Sequence, residues 1–311
     1  MSRLDANASA FFAGAFRRSS GLFIAAVVVA LAAGSLARCQ ALIRDPQVPA
    51  EQFSSSDGAP AESLGRQRAL MLRAVDGVAP SRPGVPEFFF VGFAGQDTED
   101  VFLNEARAAA DLFRRRFGAE GRTLLLANNA KTAKELPVAS ISTLRLALNE
   151  IAVKMGDEDI LFLYITSHGR RGRISVRTGG IKLRDLRAGQ LRRILDGAKI
   201  KYRVLAISAC YSGSFIEPLR NENTLIMTAA AADLTSFGCG HDGKFTYFGN
   251  ALIGNALEKE FSFARAFAAA AKSIEKREKK EGLKPSKPQI SMGKAIIPIL
   301  QQIDERLGSA P

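Results

Sequence analysis

The chain has 311 residues, 47% of them hydrophobic and none of them tryptophan; that length allows one or two domains with an adequate core. Three cysteines exclude a disulfide framework and permit one bridge at most. The formal net charge is +12, and one stretch, Arg170 to Arg203, holds twelve basic residues against two acids, a net of +10.

Gly21 to Ala37 is an uncharged apolar run preceded by Arg17-Arg18. Its seventeen residues are at the short end for a membrane span and slightly long for a signal-peptide core. Arg3, Arg17 and Arg18 before the run, against Arg38 and Arg44 after it, favour a cytoplasmic N-terminus. Residues 1–20 therefore read as an N-terminal segment, and 21–37 as an uncleaved single-pass anchor with the body on the periplasmic or extracytoplasmic side. Ser35 and Ala37 offer a small-residue cleavage site, so secretion after signal cleavage is the alternative. Arg38 directly before Cys39 does not suit a lipoprotein signal. Residues 38–86, with many Pro, Ser, Ala and Gly, read as a linker containing a short helix over Leu64 to Val75. The body is then 87–311.

Within it, Glu87 to Phe93 (EFFFVGF) is a buried strand, and Asp100 to Phe117 an amphipathic helix with Val101, Ala108, Leu112 and Phe113 inward. Arg114 to Arg116 match the dipole of its last turn, and Gly118 stops it. Arg122 to Ala127 is a second strand, and Ser140 or Ser142 caps a helix running to Met155. Ile160 to Thr166 follows as a continuous apolar strand ending in Ser167-His168-Gly169. The next segment alternates in character and contains Gly179-Gly180, which predicts a small hairpin there. Leu183 to Leu195 reads as a helix, and Val204 to Ser208 as a strand that delivers Cys210. Thr224 to Ala229 is another strand, Thr246 to Glu258 and Ser262 to Lys280 are helices, and Gln289 to Ile297 is a last strand before a terminal helix.

Two histidines and three cysteines make six possible pairs, and only His168 with Cys210 sets both partners just past apolar strands, each followed by flexible residues. A right-handed strand–helix–strand unit brings both strand ends to one sheet edge, where open α/β sheets hold their ligands. A thiol and an imidazole delivered there are a nucleophile with its base. The bland alternative is an inert buried cysteine and an unrelated histidine. Cys239 and His241 have a C-x-H spacing, but too few further Cys or His remain for a zinc site, so neither metal nor cofactor is expected.

The blocks SHG after the apolar strand, SACYSGSF, MTAA, TSFGC and TYFGNAL resemble the legumain-type (asparaginyl endopeptidase) cysteine peptidases, and more broadly the caspase-like clan. The resemblance spans about Glu87 to Ile297. It implies an α/β fold, a caspase-like three-layer sandwich with a mostly parallel central sheet flanked by helices, here with an N-terminal apolar helix added. It also implies His168 as general base or acid, Cys210 as nucleophile, and an oxyanion hole from the N–H groups of Gly169 and Cys210. Ser236 matches the loop that walls the specificity pocket in the family. The family's two pocket acids correspond to Ser208 and Asn250 here, and its acid before the histidine to Ser167. Loss of those pocket charges predicts that asparagine is no longer strongly preferred, and together with the basic stretch after His168 it predicts a small polar or acidic P1 residue.

The expected function is a membrane-tethered cysteine endopeptidase acting on protein or peptide substrates. A transpeptidase of the same fold, or a non-enzymatic tethered interaction module, are the alternatives. The basic stretch 170–203 suits anionic lipid or acidic substrate segments. Its near lack of aromatic residues argues against nucleic acid.

Overall fold

The structure, a computed structural model, describes residues 61–179, 183–240 and 243–308. The expected apolar N-terminal helix and anchor at 21–37, residues 38–60 of the expected linker, and His241 lie outside them. Among the described residues no helix is long and apolar enough to cross a membrane.

Among the described residues nine strands form in chain order: Phe88–Ala94 (β1), Thr123–Ala127 (β2), Ile160–Thr166 (β3), Gly169–Arg170 (β4), Arg173–Ile174 (β5), Leu186–Arg187 (β6), Tyr202–Ser208 (β7), Thr224–Thr228 (β8) and Gln289–Met292 (β9). Six of them make the main sheet, ordered β2-β1-β3-β7-β8-β9, parallel throughout except for the antiparallel edge strand β9. The three central strands β1, β3 and β7 are buried along their whole length. That explains why their sequences are continuous apolar runs: both faces of a parallel sheet are covered.

The period of two along each strand sorts these residues between two cores. Phe89, Val91, Leu161, Leu163, Ile165, Leu205 and Ile207 face one side. They meet helices Ala61–Asp76 (α1), Ile141–Lys154 (α3) and Ala188–Gly197 (α4) through Met71, Leu148 and Leu191. Phe88, Phe90, Ile160, Phe162, Val204 and Ala206 face the other. There they meet Asp100–Arg116 (α2), Phe263–Lys280 (α7) and Ile297–Gly308 (α8) through Phe113, Phe263 and Ile303. Phe113 sits 4.1 Å from Phe162, centroid to centroid, at the centre of a ring cluster that locks α2 onto the sheet. The result is a three-layer α/β/α sandwich. Two short helices, Ile216–Leu219 (α5) and Tyr247–Ala251 (α6), complete the set.

Ser140 is the cap of α3: its hydroxyl accepts from the Thr143 N–H at 3.1 Å, and the Thr143 hydroxyl accepts from the Ser140 N–H at 2.9 Å. Several expected boundaries move. The hairpin after His168 has a turn at Arg171-Gly172, where Gly172 has φ +69°; Gly180 of the expected turn lies outside the described residues. Helix α4 starts at Ala188 because Leu186 and Arg187 are drawn into a third strand against β5. The helix expected over 246–258 is helical only to Ala251 and continues as a π-turn over Leu252–Ala256. The last strand stops at Met292, and Pro298 lies in the first turn of α8. The linker also ends early. Met71, Val75 and Val78 are buried in the core, and the Ser81 N–H donates to the Lys154 carbonyl, so the segment from Met71 onward packs on the body.

Candidate functional site

Strands β3 and β7 are parallel neighbours in register Thr166↔Ser208, their last paired residues. His168 and Cys210 each lie two residues further on, so adjacent strands about 4.8 Å apart deliver them to the same edge. The Ser167 N–H donates to the Ser208 carbonyl at 3.2 Å, extending the pairing toward the two side chains. Tyr211, immediately after Cys210, has φ +58°, a left-handed conformation that costs a non-glycine residue about 1–2 kcal/mol. It turns the chain sharply away from the strand. Its N–H is held by the Leu234 carbonyl at 2.7 Å.

Gly169 meets Cys210 backbone to backbone: a Cβ on Gly169 would lie 2.3 Å from the Cys210 carbonyl oxygen. The Ser175 N–H donates to the His168 carbonyl at 2.9 Å, which makes Gly169 and Ile174 a non-hydrogen-bonded pair. The Gly169 N–H is therefore turned away from β5. The Cys210 N–H makes no hydrogen bond with a described residue. Ser167 donates its hydroxyl to the Ser175 carbonyl at 2.7 Å, so this residue anchors the strand end.

The three pocket positions fall in different places. Ser236 is at the thiol: its N–H donates to Cys210 Sγ at 3.3 Å, and its carbonyl is 3.5 Å from the same sulfur. Ser208 is buried, with its hydroxyl 3.0 Å from that of Thr246. Asn250 is exposed, and its side-chain and main-chain oxygens both accept from Asn255. Cys239 is a free, half-buried thiol packed on the small cluster that contains Phe102. Burial pushes that thiol up, with the negative charge of Cys210 adding to the effect and that of Glu99 and Glu105 further down.

Two acids at this edge were not anticipated from the sequence. Both carboxylate oxygens of Glu99 lie 3.3 Å from His168 Nε2, and the Phe102 ring meets the imidazole edge-on at 5.1 Å. Glu99 is the N-cap residue of α2 but does not cap it. Glu105, one turn and a half further along α2, is fully buried behind the site. Its carboxylate accepts from the Thr166 hydroxyl at 2.7 Å, the Thr246 N–H at 2.6 Å and the Tyr164 hydroxyl at 3.1 Å. Burial pushes this carboxyl up against the pull of those donors. Glu105 had a legible signal, since it falls four residues after Val101 and seven before Leu112 on the inward face of the helix. Glu99 had none, because only the fold brings it to His168.

A parallel α/β sandwich that brings an imidazole and a thiol to one strand edge defines a protein of the cysteine-peptidase type. The sequence profile of the Peptidase C13 family matches residues 142–298, and the chain belongs to that family, the legumain family of the caspase-like clan. A search of curated proteins finds no match.

Proposed function

We propose that the protein is a cysteine endopeptidase that cleaves peptide bonds through His168 and Cys210. The observation that carries this reading is the Thr166↔Ser208 register, which sets the two residues at equal distances past neighbouring strands. Cys210 Sγ attacks the scissile carbonyl, and its proton passes to His168. The N–H groups of Gly169 and Cys210 receive the oxyanion. His168 then protonates the leaving amine, which leaves a thioester. Water, deprotonated by the same imidazole, releases the acid and restores the thiol. Glu99 holds the ring through Nε2, which leaves Nδ1 for this proton traffic.

Ser236, against the sulfur, is the residue best situated to meet the side chain entering the site. Ser208 engages Thr246 and Asn250 engages Asn255, so neither brings a negative charge to the pocket. A small polar or acidic P1 residue follows, with asparagine not strongly preferred. The tether is residues 21–37, with the body extracytoplasmic, and deleting residues 1–38 should move the protein from the membrane to the soluble fraction with activity intact.

Incubating the full-length protein with a peptide library and identifying the products by mass spectrometry tests the reading. Hydrolysed fragments with a common P1 class support it, and products joined to an added amine would assign transpeptidation instead. Absence of any new peptide, with the protein folded, would leave the non-enzymatic module.

A further inference from the structure

The small sheet that starts at Gly169 has two faces of opposite character. Gly169, Ile174 and Leu186 form its inner row, with Ile174 and Leu186 fully buried. Its outer row is Arg170, Arg173 and Arg187, paired Arg170↔Arg173 and Arg173↔Arg187 across three strands. Residues opposed in this way stand about 5 Å apart at Cβ, and like charges placed there repel. Arg170 is offset by Asp185 at 3.3 Å. Arg173 and Arg187 make no ion pair with a described residue.

The repulsion continues into a cavity beside the row. Arg173, Arg184, Arg187 and Arg193, with Gln190 and the single acid Asp185, line a space of about 490 Å³. Helix α4 begins there at Ala188, with no side-chain cap and no acid in its first turn. Arg203, by contrast, is buried and paired with Asp196 at 2.8 Å, so the positive charge of this region is not all of one kind. Four guanidinium groups facing one concave space with one acid among them constitute a site for carboxylates, which match the guanidinium fork.

We propose that this cavity is a secondary binding site for acidic side chains of the polypeptide being cleaved, an inference that rests on the peptidase reading above. Arg173, which lines the cavity, pairs across the ladder with Arg170, and Arg170 directly follows Gly169, which abuts Cys210, so the small sheet joins the cavity to the strand end that carries His168. No aromatic ring lines the space, which disfavours nucleic acid. Its concave form, with Leu183 as the one apolar residue, favours a peptide segment over a lipid surface.

The test compares two fluorogenic peptides with the same cleavage core, one flanked by Asp and Glu, the other by Asn and Gln, using the full-length protein and its Arg173→Gln/Arg187→Gln variant. The acid-flanked peptide should be favoured about tenfold in kcat/KM at low salt, mainly through KM, and lose that advantage at high salt. The double variant should lose the advantage too and turn over the neutral peptide as the parent does. Equal kcat/KM for both peptides, or an advantage that survives the double substitution, would overturn the proposal. Turnover of neither peptide would count against the peptidase reading alone. Anisotropy of the labelled acid-flanked peptide on the Cys210→Ala protein then decides the cavity, and binding that is absent or indifferent to Arg173 and Arg187 rejects it. Arginine-dependent capture by vesicles of anionic phospholipid, with no preference between the peptides, would assign the row to a membrane surface and reject it equally.

Discussion

Glu99 holds His168 by Nε2, with both carboxylate oxygens 3.3 Å from the ring nitrogen. The imidazole is about one-third exposed and the carboxylate 14% exposed, so the contact is partly shielded from water. An acid behind the ring fixes its orientation, and Phe102 fixes the plane from the side. Glu99→Ala should lower kcat about 10–100-fold with little change in KM. Glu99→Gln, which can still hydrogen-bond to the ring, should recover part of that loss. Steady-state kinetics beside a melting curve checks this, and an equal loss in both variants with a lowered melting temperature would make Glu99 structural.

Gly169 admits no side chain. An added Cβ would meet the Cys210 carbonyl oxygen at 2.3 Å and the Ala209 Cβ at 3.0 Å, and the first of these is backbone that cannot swing aside. Gly169→Ala should separate the two strand ends, cost about 1–3 kcal/mol of stability and reduce turnover about a hundredfold or more. Urea melts paired with peptide cleavage measure both.

Asp304 on α8 is a titrating group away from the site. Desolvation pushes its carboxyl up to about 6 from an ordinary 3.8, against the attraction of Arg265 and aided by Glu260. The folded state therefore keeps a proton that the unfolded chain releases, so this contribution to stability is fully present below pH 3.8 and is lost as pH rises through about 6. Asp304 is half-exposed, and after discounting for solvent the cost above that range is about 1 kcal/mol. Asp304→Asn should raise the melting temperature by about 2–4 °C near neutral pH and leave it unchanged in mild acid. A gain of the same size at both pH values would contradict the assignment.

The strands that build the site were legible because full burial on both faces leaves an unmistakable apolar run, as at Phe88–Ala94, Ile160–Thr166 and Tyr202–Ser208. Their register could not be read, and it is the register that sets His168 and Cys210 the same two residues past neighbouring strands. Leu186-Arg187 looked like the first turn of a helix because two residues carry no period; the pairing with Arg173-Ile174 decides their state. The Pro and Gly in 79–86 suggested a free tether, yet Ala79 and Ser81 both donate N–H groups to the body. Ser208 and Asn250 were expected to share a pocket, but one is buried against Thr246 and the other faces Asn255 at the surface. Side-chain direction there follows from packing that a motif does not contain.

Limited alkylation tests whether Cys210 is the nucleophile. Cys210 lies two residues past its strand, as His168 does past the neighbouring one, whereas burial and nearby negative charge push the Cys239 thiol up and suppress its thiolate. Full-length protein treated with substoichiometric iodoacetamide, digested and read by mass spectrometry, should carry the label first on Cys210, with peptide hydrolysis falling in step with that labelling. His168→Ala should slow the labelling of Cys210 and leave that of Cys239 as it was. Labelling of Cys239 ahead of Cys210, or hydrolysis that persists once Cys210 is fully alkylated, would contradict the account.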